Sequence, residues 1–425
     1  MQVSIKNRAA RYSLMGLEVF LFFMAIAWVT KTYIAERVAS TNDVEHLQLA
    51  IRLDPDNADY HMRLGRLYEY VPAEANFPKA MEEFRRAAEL NPDDPQVWVN
   101  LAAAAEFSGR THEAESYLRR ADFLAPRIPE YQWAIGNFLL LHANLNDAFP
   151  HLKMALAGTR KYDQVIFDTA WKASGDPDFI LHALIPLDLQ SEFSYLDYLK
   201  GHQHFQETRA VWQRILSSPG KFSPQDSSSY IDSLINAHDS EGAFEVWTDL
   251  RNRGMIPFSS AKSRQDLITD GDFEEPLLNM GFGWRIAAEQ DVYAGLDEST
   301  YHSPGHSLLV QFTGKENVNY RNVFQYVKVE PMKAYQLRAF LKTEGITTDS
   351  GPRLEVRDAY EPAFLNKSTE SLIGTTVGWA QEGIDFETGP KTELVVVSLI
   401  RLPSQKLDNL ISGSVWLDDV KLIPQ

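Results

Sequence analysis

An internal period constrains this chain more than any other feature. The segments LDPDNADYHMRLGRLY (53–68), LNPDDPQVWVNLAAAA (90–105) and LAPRIPEYQWAIGNFL (124–139) superpose without gaps, with Pro55, Pro92 and Pro126 in register and Leu64, Leu101 and Ile135 likewise. The following helices match as well: Ala80, Ala114 and Ala148 are 34 residues apart, as are Ala87, Ala121 and Ala155. The first unit is longer only by an insertion in EYVPAEANF. Each unit reads as helix, turn, helix, with small residues (Gly65, Ala102, Gly136) where paired helices approach closely. Such a pair cannot bury its apolar face alone, so successive pairs stack into a solenoid with one concave side.

The 34-residue period resembles the tetratricopeptide repeat family over residues 43–157. Beyond 157 the period decays, but amphipathic segments still come in pairs, and Ala210 and Ala243 are 33 apart. The helical repeat domain is therefore expected over 43–255. The resemblance implies a protein or peptide partner in the groove. Trp98, Tyr131 and Trp133 read as helix packing rather than ligand contacts.

After Gly254 the apolar period changes from 3.6 to 2. HSLLVQF, VFQYVKVEP, AYQLRAFLKTEG, PRLEVRDA, TELVVVSLIRL and SGSVWLDDVKLIP alternate or run apolar between turn residues, which predicts an antiparallel β-sandwich or jelly roll over 266–425. If Leu337, Ala339 and Leu341 face the core, Arg338 faces away. Core-facing Leu354 and Val356 leave Arg353, Glu355 and Arg357 on the other face. With the rings of Tyr320 and Tyr326 these residues form a candidate carbohydrate face, because rings stack on sugars and planar charged groups bracket hydroxyls. An arginine-rich face suits an acidic polysaccharide. The bland alternative is a solvated or solenoid-facing surface.

The order of DGDFEEP, Gly283-Trp284, HSLLVQF, the long AYQLRAFLKTEG strand, Trp379 and VWLDDVKLIP resembles the carbohydrate-binding modules that accompany xylanases and cellulases. That resemblance implies a structural Ca²⁺ where the first and last strands meet, at Asp272, Glu274 and Asp418; two acids brought together by strand pairing suit a hard cation. It also implies that Trp284, Trp379 and Trp416 pack in the core.

The N-terminus bears on location. Residues 13–35 are mostly apolar and near the length that crosses a ~30 Å hydrocarbon core. Lys6, Arg8 and Arg11 in front predict residues 1–12 in the cytoplasm and the rest outside, as for a single-pass protein of a bacterial-type inner membrane. The rival is a signal peptide cleaved after Ala25–Ala27. The net charge of −17, with a basic N-terminus, leaves an acidic body that phosphate backbones repel, so nucleic acid is excluded as a partner. No cysteine is present, which rules out disulfides and thiolate chemistry.

Catalytic patterns fail. HEAES at His112 lacks the second histidine of a zinc-protease helix, GKENV at Gly314 lacks a phosphate loop's spacing, and no G-x-S-x-G occurs. The sequence thus predicts a multidomain α plus β chain: a transmembrane helix, an α-solenoid and a β-sandwich. It reads as a non-enzymatic envelope scaffold that holds a protein partner and touches glycan, in surface-polysaccharide assembly or export. A glycan hydrolase built on the jelly roll, and a purely protein-docking scaffold, are the competing expectations.

Overall fold

The computed structural model describes residues 8–256 and 266–425. Its first helix, α1 (Arg8–Ala39), runs 32 residues and is long and apolar enough to cross a membrane. It does not end with the apolar stretch. Ala35 and Ala39 are fully buried in the same core as Tyr60 and Leu64. Glu36 accepts a 3.0 Å hydrogen bond from the Tyr60 hydroxyl, and Arg63 donates to the Ala39 carbonyl and to Asn42. The apolar helix and the first helix of the solenoid are therefore one element. No proline or glycine interrupts it after Gly16; Asn42 in the left-handed region and Asp43, which caps the next helix, end it.

Helix pairs follow: α2 (Val44–Leu53), α3 (Ala58–Tyr70) with α4 (Phe77–Leu90), α5 (Pro95–Phe107) with α6 (Thr111–Leu124), and α7 (Pro129–Leu141) with α8 (Leu145–Gly158). The close approaches expected from small residues are present. A Cβ on Gly65 would lie 2.5 Å from the Phe84 ring, and one on Gly136 would lie 2.5 Å from Leu152. The decayed region is still helical, as α9 (Asp163–Ser174), α10 (Pro177–Phe179), α11 (Leu189–Gly201), α12 (Phe205–Ser217), α13 (Ser228–Asn236) and α14 (Ser240–Asn252). After α10 the chain takes one π turn, residues 180–184, whose Leu181 carbonyl, with those of Ile185 and Pro186, accepts from the largely covered Arg214 guanidinium. Buried Glu192 neutralises it at 2.9 Å.

Contacts divide the chain into two compact units, Met1–Tyr198 with Ala210–Pro219, and Leu199–Arg209 with Gly220–Gln425. The second unit holds α13 and α14 together with ten strands: β1 (Arg285–Ile286), β2 (Val292–Asp297), β3 (Ser307–Thr313), β4 (Tyr320–Lys328), β5 (Ala334–Glu344), β6 (Arg353–Asp358), β7 (Asn366–Ser368), β8 (Ala380–Glu387), β9 (Leu394–Arg401) and β10 (Ser412–Pro424). They form two antiparallel sheets, ordered β1-β4-β9-β6-β7 and β2-β3-β10-β5-β8. Between them lies a core of alternating apolar residues, with Phe273, Trp284, Tyr320 and Tyr335 as its largest rings. This is the sandwich that period-2 patterning predicted.

The sequence boundary at 255/266 separates α14 from the sandwich, yet side chains cross it. Trp247 and Phe244 pack on Phe282, and Gly281 has φ 53° with the Trp247 ring where its Cβ would be. Arg285 pairs with Asp232 at 2.6 Å, Lys328 with Glu241, and the His238 ring stacks on Tyr360. The last helix pair thus borders the outer side of the β1-β4 sheet.

Candidate functional site

The two sheets offer two outer faces, and the expected carbohydrate residues are divided between them. Tyr326, Arg353, Glu355 and Arg357 lie on the outer face of the β1-β4-β9-β6-β7 sheet. Tyr326 and Arg357 share a row, both opposite Val396. Tyr326 is already engaged, under the Arg285 guanidinium at 5.1 Å and edge-on to Phe324. Glu355 is 2% exposed and paired with Arg321. This face carries an ion cluster in which Arg321 and Arg357 converge on buried Glu355, on a sheet bordered by α13 and α14.

Tyr320 does not join them. It is 1% exposed, its ring edge-on to Phe312 in the core, and burial raises its hydroxyl pKa well above the usual value. Arg338 belongs to the other sheet, beside Gly383 and Lys421.

That second face carries rings of its own, exposed His302 and half-buried Phe340 and Trp379, beside the buried Trp416. In neighbouring rows, β10 and β5 place Trp416 beside Lys342 and Asp418 beside Phe340. The Lys342 ammonium sits 5.5 Å from the Trp416 ring centre, and the indole N–H donates to Asp297 at 2.6 Å. The His302 ring lies flat on Phe340, 3.7 Å between centroids at 13°, and meets Trp379 edge-on at 5.7 Å. Trp379 is half-buried beside this stack rather than in the core. Arg338 and Gln381 lie exposed around the rings. The arrangement is a ring platform bracketed by cationic and amide groups, a geometry that can stack a pyranose and hold its hydroxyls.

The loop that carries His302 is fixed by two of the acids expected to bind calcium. Asp418 is fully buried. Its Oδ2 accepts from the His302 and Ser303 backbone N–H groups at 2.7 and 2.9 Å, and its Oδ1 from the Ser303 hydroxyl and the Asp419 N–H. Burial raises its pKa, and these donors oppose that shift. Glu274 accepts from the His306 N–H at 3.0 Å and fills the space beside Gly305, at φ 114°. Asp419 reaches the His302 ring at 2.6 Å. Among the described residues no three His, Asp or Glu side chains are grouped to hold a metal, so a Ca²⁺ at Asp272, Glu274 and Asp418 would draw on backbone oxygens as well. Four donors occupy the oxygens that Asp418 would give to Ca²⁺.

Sequence reading missed His302 and Phe340 as a pair, since nothing local links a loop histidine to a strand 38 positions on. The signal present was parity alone: Phe340 alternates with core-facing Ala339 and Leu341.

In the first unit, a groove of about 430 Å³ lies between α6, α7 and α8, floored by Leu118, Ile135 and Phe138 and rimmed by Asp147 and His151. His151 bonds Gln132, which donates to Asp122, so the rim is ordered by a three-residue chain.

No protein-family model matches the sequence, and no curated protein does. Among solved structures, one of MamA is 28% identical over 26% of this chain and 63% of that one, with a TM-score of 0.23. YrrB, described as a TPR protein with an unusual peptide-binding site, is 13% identical over 49% of this chain and 93% of that one, at 0.27. A structure titled "CBM4 structure and function" is 16% identical over 37% of this chain and 99% of that one, at 0.28. The chain spans less than two thirds of the MamA structure, and scores this low assign neither a family nor an activity to the whole chain.

Proposed function

We propose that this protein is a membrane-anchored, non-enzymatic adaptor. α1 spans a bilayer with its basic N-terminus in the cytoplasm, as in a bacterial-type inner membrane. The helical repeats take a protein partner, and the outer face of the β2-β3-β10-β5-β8 sheet takes a glycan, in the assembly or export of a surface polysaccharide. The observation that carries the glycan reading is the platform of His302, Phe340 and Trp379, set among Arg338, Lys342 and Gln381. Rings left accessible beside planar polar groups have no role in the sandwich core. The cations favour an anionic glycan over a neutral one.

Retention of the detergent-solubilised full chain on immobilised acidic and neutral polysaccharides tests this. The expected result is binding to the acidic ones, weakened about tenfold or more by a Phe340→Ala, Trp379→Ala double substitution, as loss of about 1.4 kcal/mol of ring contact implies. Binding that ignores the double substitution sinks the assigned face. Release of shortened glycan sinks the non-enzymatic reading and favours a hydrolase.

A further inference from the structure

The turns that lead from the second helix of one repeat to the first helix of the next all lie on one edge of the solenoid. α1 leaves the solenoid across that same edge. It runs parallel to α3, with Glu36 level with Tyr60 and Ala39 level with Arg63, so residues before Ile34 project past the turn at 54–57. A bilayer that takes up the exposed part of α1 therefore lies against this edge.

The four turns, 54–57, 91–94, 125–128 and 159–162, can be compared in register. Their third positions are Asp56, Asp93, Arg127 and Lys161, and their fourth are Asn57, Asp94, Ile128 and Tyr162. In the first two turns the acid is neutralised by an arginine of the second helix of the repeat that follows, Asp56 by Arg86 of α4 and Asp93 by Arg120 of α6, at 3.6 and 3.4 Å. Position 154, in register with those arginines, is Met154, and Arg127 makes no ion pair among the described residues. Asn57 and Asp94 cap the helices they precede, while Ile128 and Tyr162 give no side-chain cap. The third repeat forgoes a stabilising cap and instead exposes Ile128 by 45%, beside Phe123 at 76%. Charge reverses and capping is lost at both of these turns, and apolar surface appears at the first of them. Tyr162 stacks on Trp133 at 5.5 Å with the Lys161 ammonium 5.1 Å from its ring, so packing accounts for that ring but not for Arg127 or for the exposure of Phe123 and Ile128.

We infer that the turns at 125–128 and 159–162 are a lipid-contact site, in which Arg127 and Lys161 meet anionic headgroups while Phe123 and Ile128 enter the interface. Basic residues near an anionic surface and apolar side chains at its interface are the chemistry such a surface selects. The acidic turns nearer α1 do not take part. The inference rests on α1 spanning the bilayer.

The cysteine-free chain allows a clean test. A fluorophore is placed at Glu130→Cys, beside the third turn, or at Ser108→Cys, on the opposite edge; both positions are exposed. The full chain is reconstituted in phosphatidylcholine vesicles with and without phosphatidylglycerol, doped with headgroup-nitroxide lipid. The expected result is quenching at 130 at least twofold above that at 108, dependent on phosphatidylglycerol. Adding Arg127→Glu and Lys161→Glu should bring it down to the level at 108 while the chain resists carbonate extraction. Equal quenching at both sites in a carbonate-resistant chain overturns the contact and leaves an acidic protein surface as the occupant. Extraction by carbonate overturns the anchor, and the contact with it.

Discussion

Asp270 shows how one side chain sets a pH dependence in the sandwich. It sits at φ 52° and is 8% exposed, its carbonyl taking the Trp284 indole N–H at 3.0 Å and its carboxylate the Glu275 N–H. Burial pushes its pKa up to about 7, aided by the charge of Asp272 and opposed by the backbone donors at Glu274 and Glu275. The folded pKa lies above the unfolded one, so the folded state holds the proton more tightly. Its contribution is complete below about pH 4 and lost as pH rises towards 7. Asp270→Asn keeps the acceptor without the charge. Its Tm is expected to exceed that of the parent by roughly 5 °C at pH 8 and to match it at pH 4, read by thermal unfolding at both values. No gain at pH 8 means that the carboxylate is ionised in the fold at no cost. Tyr320 marks the limit of residue-level reading. It has the parity of Phe324 and Tyr326, which face outward, but a register shift between Tyr320 and Val323 turns it into the core.

Among elements, the helix pairs were legible because their signals recur: three prolines, two alanine columns and one leucine column repeat in register. The strands were legible from alternation. What alternation does not encode is which sheet a strand joins. β5 and β6 are consecutive, yet they enter opposite sheets, and this separates Arg338 from Arg353, Glu355 and Arg357. Nor does a 3.6-residue period reveal that α14 shares side-chain contacts with β-structure; that depends on Trp247 meeting Phe282. A fragment beginning at residue 266 leaves Phe282, Arg285 and Lys328 without Trp247, Asp232 and Glu241. It is expected to unfold at least ~2 kcal/mol more easily than a fragment beginning at Gly220, by urea titration of both, from lost apolar burial and an unpaired half-buried guanidinium. Equal midpoints would place the unit's edge where the amino-acid pattern alone puts it.

At the scale of the whole molecule, α1 carries an exposed apolar stretch into the solenoid core without a break. Because Ala35 and Ala39 are core residues of the first repeat, a Gly-Ser-Gly-Ser insertion between Ile34 and Ala35 should leave the solenoid folded, with its far-UV spectrum unchanged, but uncouple it from the bilayer. Spin labels at Ser108 and at Trp28 would then show a distance distribution at least twice as broad as in the parent, and an unchanged width would mean that the joint is already loose. A helix that enters lipid with no joint behaves as a lever. When the hydrocarbon layer thickens or thins by a few ångströms, an apolar span answers by tilting; with α1 anchored as proposed, that tilt would not be absorbed at the surface but would swing the stacked repeats through the same angle, making bilayer thickness a mechanical input to them.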